Sequence, residues 1–274
     1  MCNVTVVCCW TNEKMYNEFL ATLKAQDAPC KIIGIDNRGN NAFTSCAAAY
    51  NSVIGEIDTE YVIYSHQDIL LNSPGVLSKF LSYLANIGRD DILGIAGVKF
   101  ELSSHIFTDI MQTHPYDGSL MPAGRYHVEG GIMECDSLDE CFFGGHASHF
   151  RDYPFDAETC DNWHLYAAEA CMRAKTKAHA KIWVCGADII HRSIGNVNSS
   201  FVFGFCRLCR KYAGDFPFIR TTCACSFTDE RSLRKYIMKH FLFVAPKKAL
   251  MRQMSRMNIY FFMRKIYRFF TGRK

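Results

Sequence analysis

The stretch Glu60–Leu71, EYVIYSHQDILL, joins an apolar run, Tyr61–Ser65, to the polar triplet His66-Gln67-Asp68 and then to a second apolar run, Ile69–Leu71. The first run has the length and β-branched character of a buried strand. Side chains two apart on an extended chain point the same way, so His66 and Asp68 are expected to converge on one cation where that strand ends. Open α/β sheets bind their ligands at such strand ends. The placement points to nucleotide-dependent transfer chemistry.

The flanking sequence alternates strand and helix. Val4–Trp10, Lys31–Ile35 and Asp91–Phe100 read as further buried strands, while Asn12–Ala25, Phe43–Gly55 and Pro74–Asn86 carry apolar residues at helical spacing. This order predicts an α/β fold with parallel strands and helices on both faces of the sheet. Residues 101–134 hold Gly118, Pro122, Gly124, Gly130 and Gly131 and are expected to form a hairpin or a flexible lid. Asp161–Lys177 predicts a helix with Asp161 as its N-cap, and Lys181–Cys185 predicts a strand leading toward His191. The expected division is one α/β domain over residues 1–200 and a helical, basic extension over residues 201–274.

A chain of 274 residues with 49% hydrophobic and 21% charged residues is long enough for one large core and too apolar to be disordered. The N-terminal MCNVTVVCCWTNEK lacks a basic n-region, and no run of 18 apolar residues occurs, so neither a signal peptide nor a transmembrane helix is expected. Fourteen cysteines scattered through apolar patterns suit buried, reduced thiols and a cytoplasmic location. Cys206-x-x-Cys209 with Cys223-x-Cys225 has the ligand types of a tetrahedral zinc site. Cys206 and Cys209 also fit the apolar face of a helix with Phe201 and Phe205, and that is the favoured reading.

Charge is divided unevenly. Arg231–Lys274 holds 13 Lys/Arg and no Asp or Glu, so all 27 acidic residues precede it. Within this tail, Ile259, Phe262, Met263, Ile266, Phe269 and Phe270 share one helical face bordered by Arg264, Lys265 and Arg268. A basic amphipathic helix with aromatic residues predicts contact with an anionic membrane surface. No RNA-binding motif accompanies it, and nucleic acid is not an expected partner.

Asp36 and Asn37 end the second strand as His66 and Asp68 end the third, and two such strand ends form the walls of a nucleotide crevice. The chain has neither G-x-G-x-x-G nor a P-loop. Phosphates must then be neutralised by other means, and a divalent cation held by Asp68 is the simplest. His191, at the end of a later strand in a Gly-bearing loop, is a further candidate for metal or phosphate contact.

The order of these residues resembles the family 2 glycosyltransferases of GT-A fold, and more narrowly a bacterial branch with His-Gln-Asp at the metal motif. The resemblance is carried by Asp36, Asn51, the Tyr64–Asp68 segment, Trp163-His164-Leu165-Tyr166, the Cys171–Lys175 helix and His191, and spans about residues 3–200. It implies a Rossmann-like mixed sheet flanked by helices. It also implies inverting transfer of a sugar from a nucleotide diphosphate sugar to a polysaccharide or lipid-linked glycan, assisted by Mn²⁺ or Mg²⁺. By the same resemblance, Asp36 with Asn12, Asn37 and Asn51 would line the nucleotide site, Asp68 would hold the metal on the diphosphate, and His66 and His191 would join it.

Two departures from the family stand out. His66 replaces the first carboxylate of the family's Asp-x-Asp metal motif, and imidazole suits Mn²⁺ better than hard Mg²⁺. The family's Glu-Asp catalytic-base pair falls on Tyr166 and Ala167, counting back from Arg173. Inverting transfer needs a group to take the acceptor's proton, and the candidates are Asp161, His164, Asp139 and Glu140. A nucleotidyltransferase sharing the crevice and a nucleotide-sugar-binding protein without catalysis are the alternatives.

Overall fold

The computed structural model describes residues 3–101, 105–114, 117–124, 126–193 and 197–244. Strand β1 (Val4–Trp10) leads into helix α1 (Glu13–Lys24), which starts where Asn12 Oδ1 accepts the Met15 amide at 3.1 Å and which buries Phe19 and Leu23. After β2 (Lys31–Asp36), α2 (Cys46–Ser52) is shorter than the spacing predicts, because its cap is Ser45, which accepts the Ala48 amide. Strand β3 (Tyr61–Ser65) is buried throughout. A turn at Gln67 and Asp68 connects it to β4 (Ile69–Leu71), so His66 and Asp68 converge through a turn and not along an extended strand. Helix α3 (Val76–Leu84) buries Val76, Leu77, Phe80 and Leu84 on one face.

The expected strand Asp91–Phe100 is interrupted. It bends at Ile95 into β5 (Ile92–Gly94) and β6 (Ala96–Val98), which join different sheets, and Thr108 Oγ1 donates to the Ile95 carbonyl at 2.8 Å. The described residues between 101 and 134 form strands and a hairpin. They contribute β7 (Ile106–Thr108), β8 (Met111–Thr113), β9 (Leu120–Pro122) and the start of β10 (Ile132–Cys135). There follow β11 (Ser137–Leu138), β12 (Phe142–His146), α4 (Ala147–Asp152), α5 (Tyr166–Lys177), β13 (Ile182–Cys185), β14 (Ile189–His191), α6 (Ser199–Lys211), the hairpin strands β15 (Phe218–Arg220) and β16 (Cys225–Phe227), and α7 (Glu230–Lys239).

The main sheet has seven strands in the order β10-β13-β5-β12-β3-β1-β2. Pairing of β1 with β2 and β3 is parallel, as the alternation predicts, but β12 is antiparallel to both β3 and β5. The sheet is therefore mixed and not wholly parallel. Gly144 permits this insertion, since a Cβ there would stand 2.1 Å from the Val62 carbonyl oxygen. A side sheet runs β4-β14-β8-β9. Apolar side chains of β1, β3, α1, α3 and β5 form the core between the main sheet and these helices.

The first compact unit runs from Met1 to Thr228, and so includes α6 and the β15–β16 hairpin beyond the boundary expected at residue 200. The cause is a buried polar knot. Glu169 of α5 is fully buried and accepts from Lys211 Nζ at 2.6 Å and Tyr212 Oη at 2.8 Å, with Arg173 also paired to it. An unpaired carboxylate there would be costly, so α6 is held to α5. The second unit, Asp229–Lys274, is represented by α7, which Asp229 caps. The expected stripe Ile259–Phe270 lies outside the described residues.

Candidate active site

Beyond the end of β3, His66 and Asp68 meet His191 from a distant part of the chain. Strand β14 runs antiparallel to β4 with His191 opposite Ile69, and the Arg192 amide donates to the Asp68 carbonyl at 3.0 Å. That register sets His191 Nε2 3.4 Å from Asp68 Oδ1, while His66 Nδ1 lies 3.9 Å from the same oxygen. One ligand atom from each of His66, Asp68 and His191 lies within 4.8 Å of the others, the single such group among the described residues. Cys206, Cys209, Cys223 and Cys225 do not form a ligand cluster there. Cys206 and Cys209 are buried on α6, and Cys223 and Cys225 are exposed on the hairpin.

The electrostatics fit a cation. Burial works against charge on Asp68, yet His191 and His66 outweigh it and hold its pKa at about 2. Burial also disfavours the His191 imidazolium, but Asp68 and Asp139 more than offset it and raise its pKa. For His66 burial prevails and its pKa is lowered, which keeps the ring neutral. Asp68 Oδ1 and His191 Nε2 are both buried without a hydrogen-bond partner. Apart from the imidazole–carboxylate pairing within the cluster, these atoms have no partner, which suits a bound group, and two imidazoles with one carboxylate suit Mn²⁺.

Gln67, the middle residue of the triplet, has a separate task. Its Oε1 accepts the amides of Thr11 at 2.9 Å and Asn12 at 2.8 Å, and its Nε2 donates to Thr11 Oγ1 at 3.2 Å. The end of β1 is thereby tied to the end of β3. The position of Gln67 between two candidate ligands was the available signal for this role.

Two clefts flank the cluster, and His66 and Trp163 line both. One, of about 330 Å³, is bounded by Cys9, Thr11, Asn40, Gln67, Asp68 and Tyr166 and opens at the ends of β1 and β3. The other, of about 390 Å³, is bounded by Asp139, Glu140, His164, His191, Phe201 and the Thr221–Cys223 turn of the hairpin. Thr222 Oγ1 donates to Asp139 Oδ2 at 2.6 Å, fastening this turn to the cleft wall. No local sequence signal marks the hairpin as part of the site.

The expected nucleotide residues divide. Asp36, exposed at the end of β2, is gripped by Arg38, whose hydrogen bonds lower its pKa, and Arg38 lies 5.0 Å over the Trp10 ring. The Asn12 side chain is used in capping α1. Asn37 is buried, and its Oδ1 accepts the Ala42 and Phe43 amides, which folds the following loop. Asn51 exchanges two hydrogen bonds with the backbone of Phe155, at 2.7 and 2.9 Å. The amides of Asn37 and Asn51 are thus engaged in holding the frame.

The candidate bases also divide. Asp161 pairs with Arg207 and does not cap α5, which begins only at Tyr166. Leu165 precedes the helix with φ +71°, a conformation that costs a bulky residue about 1–2 kcal/mol, and its amide donates to the Glu140 carboxylate. Glu140 therefore anchors the start of α5. Burial first, then the charge of Asp139, push its pKa up to about 8 against the opposing Leu165 amide. Asp139 is disfavoured by burial but is lowered by His191, Thr222 and His66. His164 is lowered by burial and by His66, and its ring meets Phe201 edge-on at 5.5 Å.

Residues 5–188 match a family model described as "Glycosyltransferase like family". A search among curated proteins returns no match. Among solved structures, GalNAc-T7 with UDP, GalNAc and Mn²⁺ aligns at TM-score 0.50 and 7% identity over 76% of this chain and 47% of that one. Staphylococcus aureus TarS aligns at TM-score 0.50 and 13% identity over 88% of this chain and 44% of that one. This chain thus spans a little under half the length of either structure. At such identities these likenesses establish the fold, the GT-A arrangement of a large mixed sheet flanked by helices.

Proposed function

The chain belongs to the glycosyltransferase-like family, and on that premise we propose that it moves a hexosyl group from a nucleotide diphosphate sugar to a polysaccharide or lipid-linked glycan, with inversion. The observation that carries this reading is the His66–Asp68–His191 cluster standing between two clefts. The cleft at the ends of β1 and β3 takes the nucleotide, and the cleft walled by Glu140, His164 and the hairpin takes the acceptor. His66, Asp68 and His191 would hold Mn²⁺ or Mg²⁺, which when bound supplies charge neutralisation for the leaving diphosphate. A structure of similar fold, GalNAc-T7, was obtained with UDP, GalNAc and Mn²⁺, which supports the same donor class here.

The acceptor's proton goes to Glu140 in this reading. Ala167 has no acidic side chain, while Glu140 lines the acceptor cleft, is anchored by Leu165, and has a pKa raised to about 8. A carboxylate poised near neutrality is a better base than one at its ordinary value. Asp139 and His164 set the field around it.

Among the described residues no helix is long and apolar enough to cross a membrane. Helix α7 exposes Arg231, Arg234, Lys235, Met238 and Lys239, with Leu242 just beyond it, so basic and apolar groups lie side by side. This juxtaposition supports a peripheral position on the cytoplasmic face of an anionic membrane, where a lipid-linked acceptor would be met. Co-sedimentation of the full chain with phosphatidylcholine vesicles, with and without phosphatidylserine, tests this: binding indifferent to phosphatidylserine would refute it.

The transferase reading itself is tested by screening nucleotide sugars for metal-dependent turnover with the wild type and Asp68→Ala. Turnover lost in Asp68→Ala supports it. Binding of a nucleotide sugar without turnover, towards any glycan acceptor, would favour the non-catalytic alternative that Ala167 raises. Turnover of nucleoside triphosphates would favour a nucleotidyltransferase.

A further inference from the structure

Tyr166 stands where the family's catalytic pair would place a glutamate, and its hydroxyl meets the metal cluster. His66 Nε2 and Tyr166 Oη are 2.9 Å apart, and Tyr166 Oη donates to the Glu140 carbonyl at 3.4 Å. The ring is fully buried and wedged against Tyr50, Phe143 and Phe155, so the hydroxyl cannot swing away. The Cys46 thiol also reaches this hydroxyl, but sulfur is a weak partner at either end of a hydrogen bond.

A neutral imidazole can give only its unprotonated nitrogen to a cation. The nitrogen of His66 facing Asp68 is Nδ1. Ligation through Nδ1 requires the ring proton on Nε2, and a proton there needs an acceptor. A carbonyl can only accept, so the Glu140 carbonyl offers the phenolic proton of Tyr166 a place and leaves Oη able to accept from Nε2. We propose that Tyr166 is the positioning residue that fixes His66 in its Nε2–H tautomer and so turns a histidine at the metal motif into a ligand through Nδ1. This rests on the reading of His66, Asp68 and His191 as a metal site. Outer-shell partners of ligating histidines commonly act in this way. The substitution of Tyr for the expected carboxylate and of His for the first metal carboxylate are then one linked change.

The test uses the full chain and Mn²⁺ affinity by calorimetry, with wild type, Tyr166→Phe, His66→Asp and the double variant. Tyr166→Phe keeps the ring and should weaken Mn²⁺ binding by about 10–100-fold. In the His66→Asp background, where no tautomer exists to be set, the same change should weaken it by less than about threefold, a non-additivity that mere damage to packing would not give. Histidine-selective ¹⁵N spectra of the Mg²⁺-saturated protein supply a second readout. The His66 signals, assigned by their loss in His66→Asp, should report Nε2–H in the wild type and a shift toward Nδ1–H in Tyr166→Phe. Mn²⁺ affinity that depends on His66 and Asp68 but ignores Tyr166→Phe, with an unchanged tautomer, would overturn this inference alone. Affinity indifferent to both His66→Ala and Asp68→Ala would overturn the metal reading and this one with it.

Discussion

Oε1 of Gln67 accepts the backbone amides of both Thr11 and Asn12, at 2.9 and 2.8 Å, and so joins the ends of two neighbouring strands of the main sheet. The residue between two candidate ligands is therefore the bracket that holds the cleft at the ends of β1 and β3 to the His66–Asp68–His191 cluster. Gln67→Ala should lower stability by only about 1 kcal/mol, because water can reach the freed amides. It should raise the KM for the donor several-fold more than it lowers kcat. Denaturant unfolding beside steady-state kinetics checks both, and an unchanged KM would remove Gln67 from the site.

Asn51 offers the opposite case. Its amide is engaged at both ends by Phe155, so Asn51→Leu should cost about 1–3 kcal/mol through unsatisfied backbone groups. Donor affinity measured on the folded fraction should stay within about twofold. A large loss of affinity with stability intact would return Asn51 to the nucleotide site.

Loss of a cluster ligand should act on the metal before it acts on the fold. His191→Ala removes the imidazole that faces Asp68 Oδ1 at 3.4 Å and helps keep that buried carboxylate ionised, so the melting temperature without metal should fall modestly. Mn²⁺ affinity should fall by more than the roughly 10–100-fold of an outer-shell change. Thermal shift with and without Mn²⁺ separates the two effects.

Glu140 should link pH to stability and to rate in opposite directions. Its folded pKa is raised from 4.5 to about 8, so the folded state binds more protons than the unfolded state across that window. Stability from this group is therefore full below the lower value and is lost as pH rises toward the upper one. Glu140→Gln should abolish the loss, so that the variant's melting temperature exceeds the wild type's by a margin that widens from pH 5 to pH 8. Wild-type kcat/KM should rise with pH through about 8, and the variant's rate should be low and flat.

Lys211 tests why the compact unit runs past residue 200. Lys211→Met leaves the fully buried Glu169 one cation short. A loss of about 3 kcal/mol is expected, read by chemical denaturation. A loss below about 1 kcal/mol would show that Arg173 and Tyr212 suffice.

Periodicity along the chain was enough to locate the strands Val4–Trp10, Lys31–Ile35 and Tyr61–Ser65 and the helices between them, because burial of one face imposes a local repeat. The triplet His66-Gln67-Asp68 was legible as a strand-end site, and with His191 it named the cluster. Where periodicity failed, a distant partner had decided the matter. Leu165 is held in a left-handed conformation by Glu140, which moves the start of α5 from Asp161 to Tyr166. Strand β12 inserts antiparallel because Gly144 allows the Val62 carbonyl to approach.

Residue type and hydrophobic period are local properties, so they were enough to mark which side chains could ligate a metal and which strand would end on them. Folding was needed to set His191 across from Ile69, to bring Tyr166 to His66, and to engage Asn37 and Asn51 with neighbouring backbone. These depend on register and on the hydrogen bonds that bury polar groups between distant segments, and neither leaves a period in the chain.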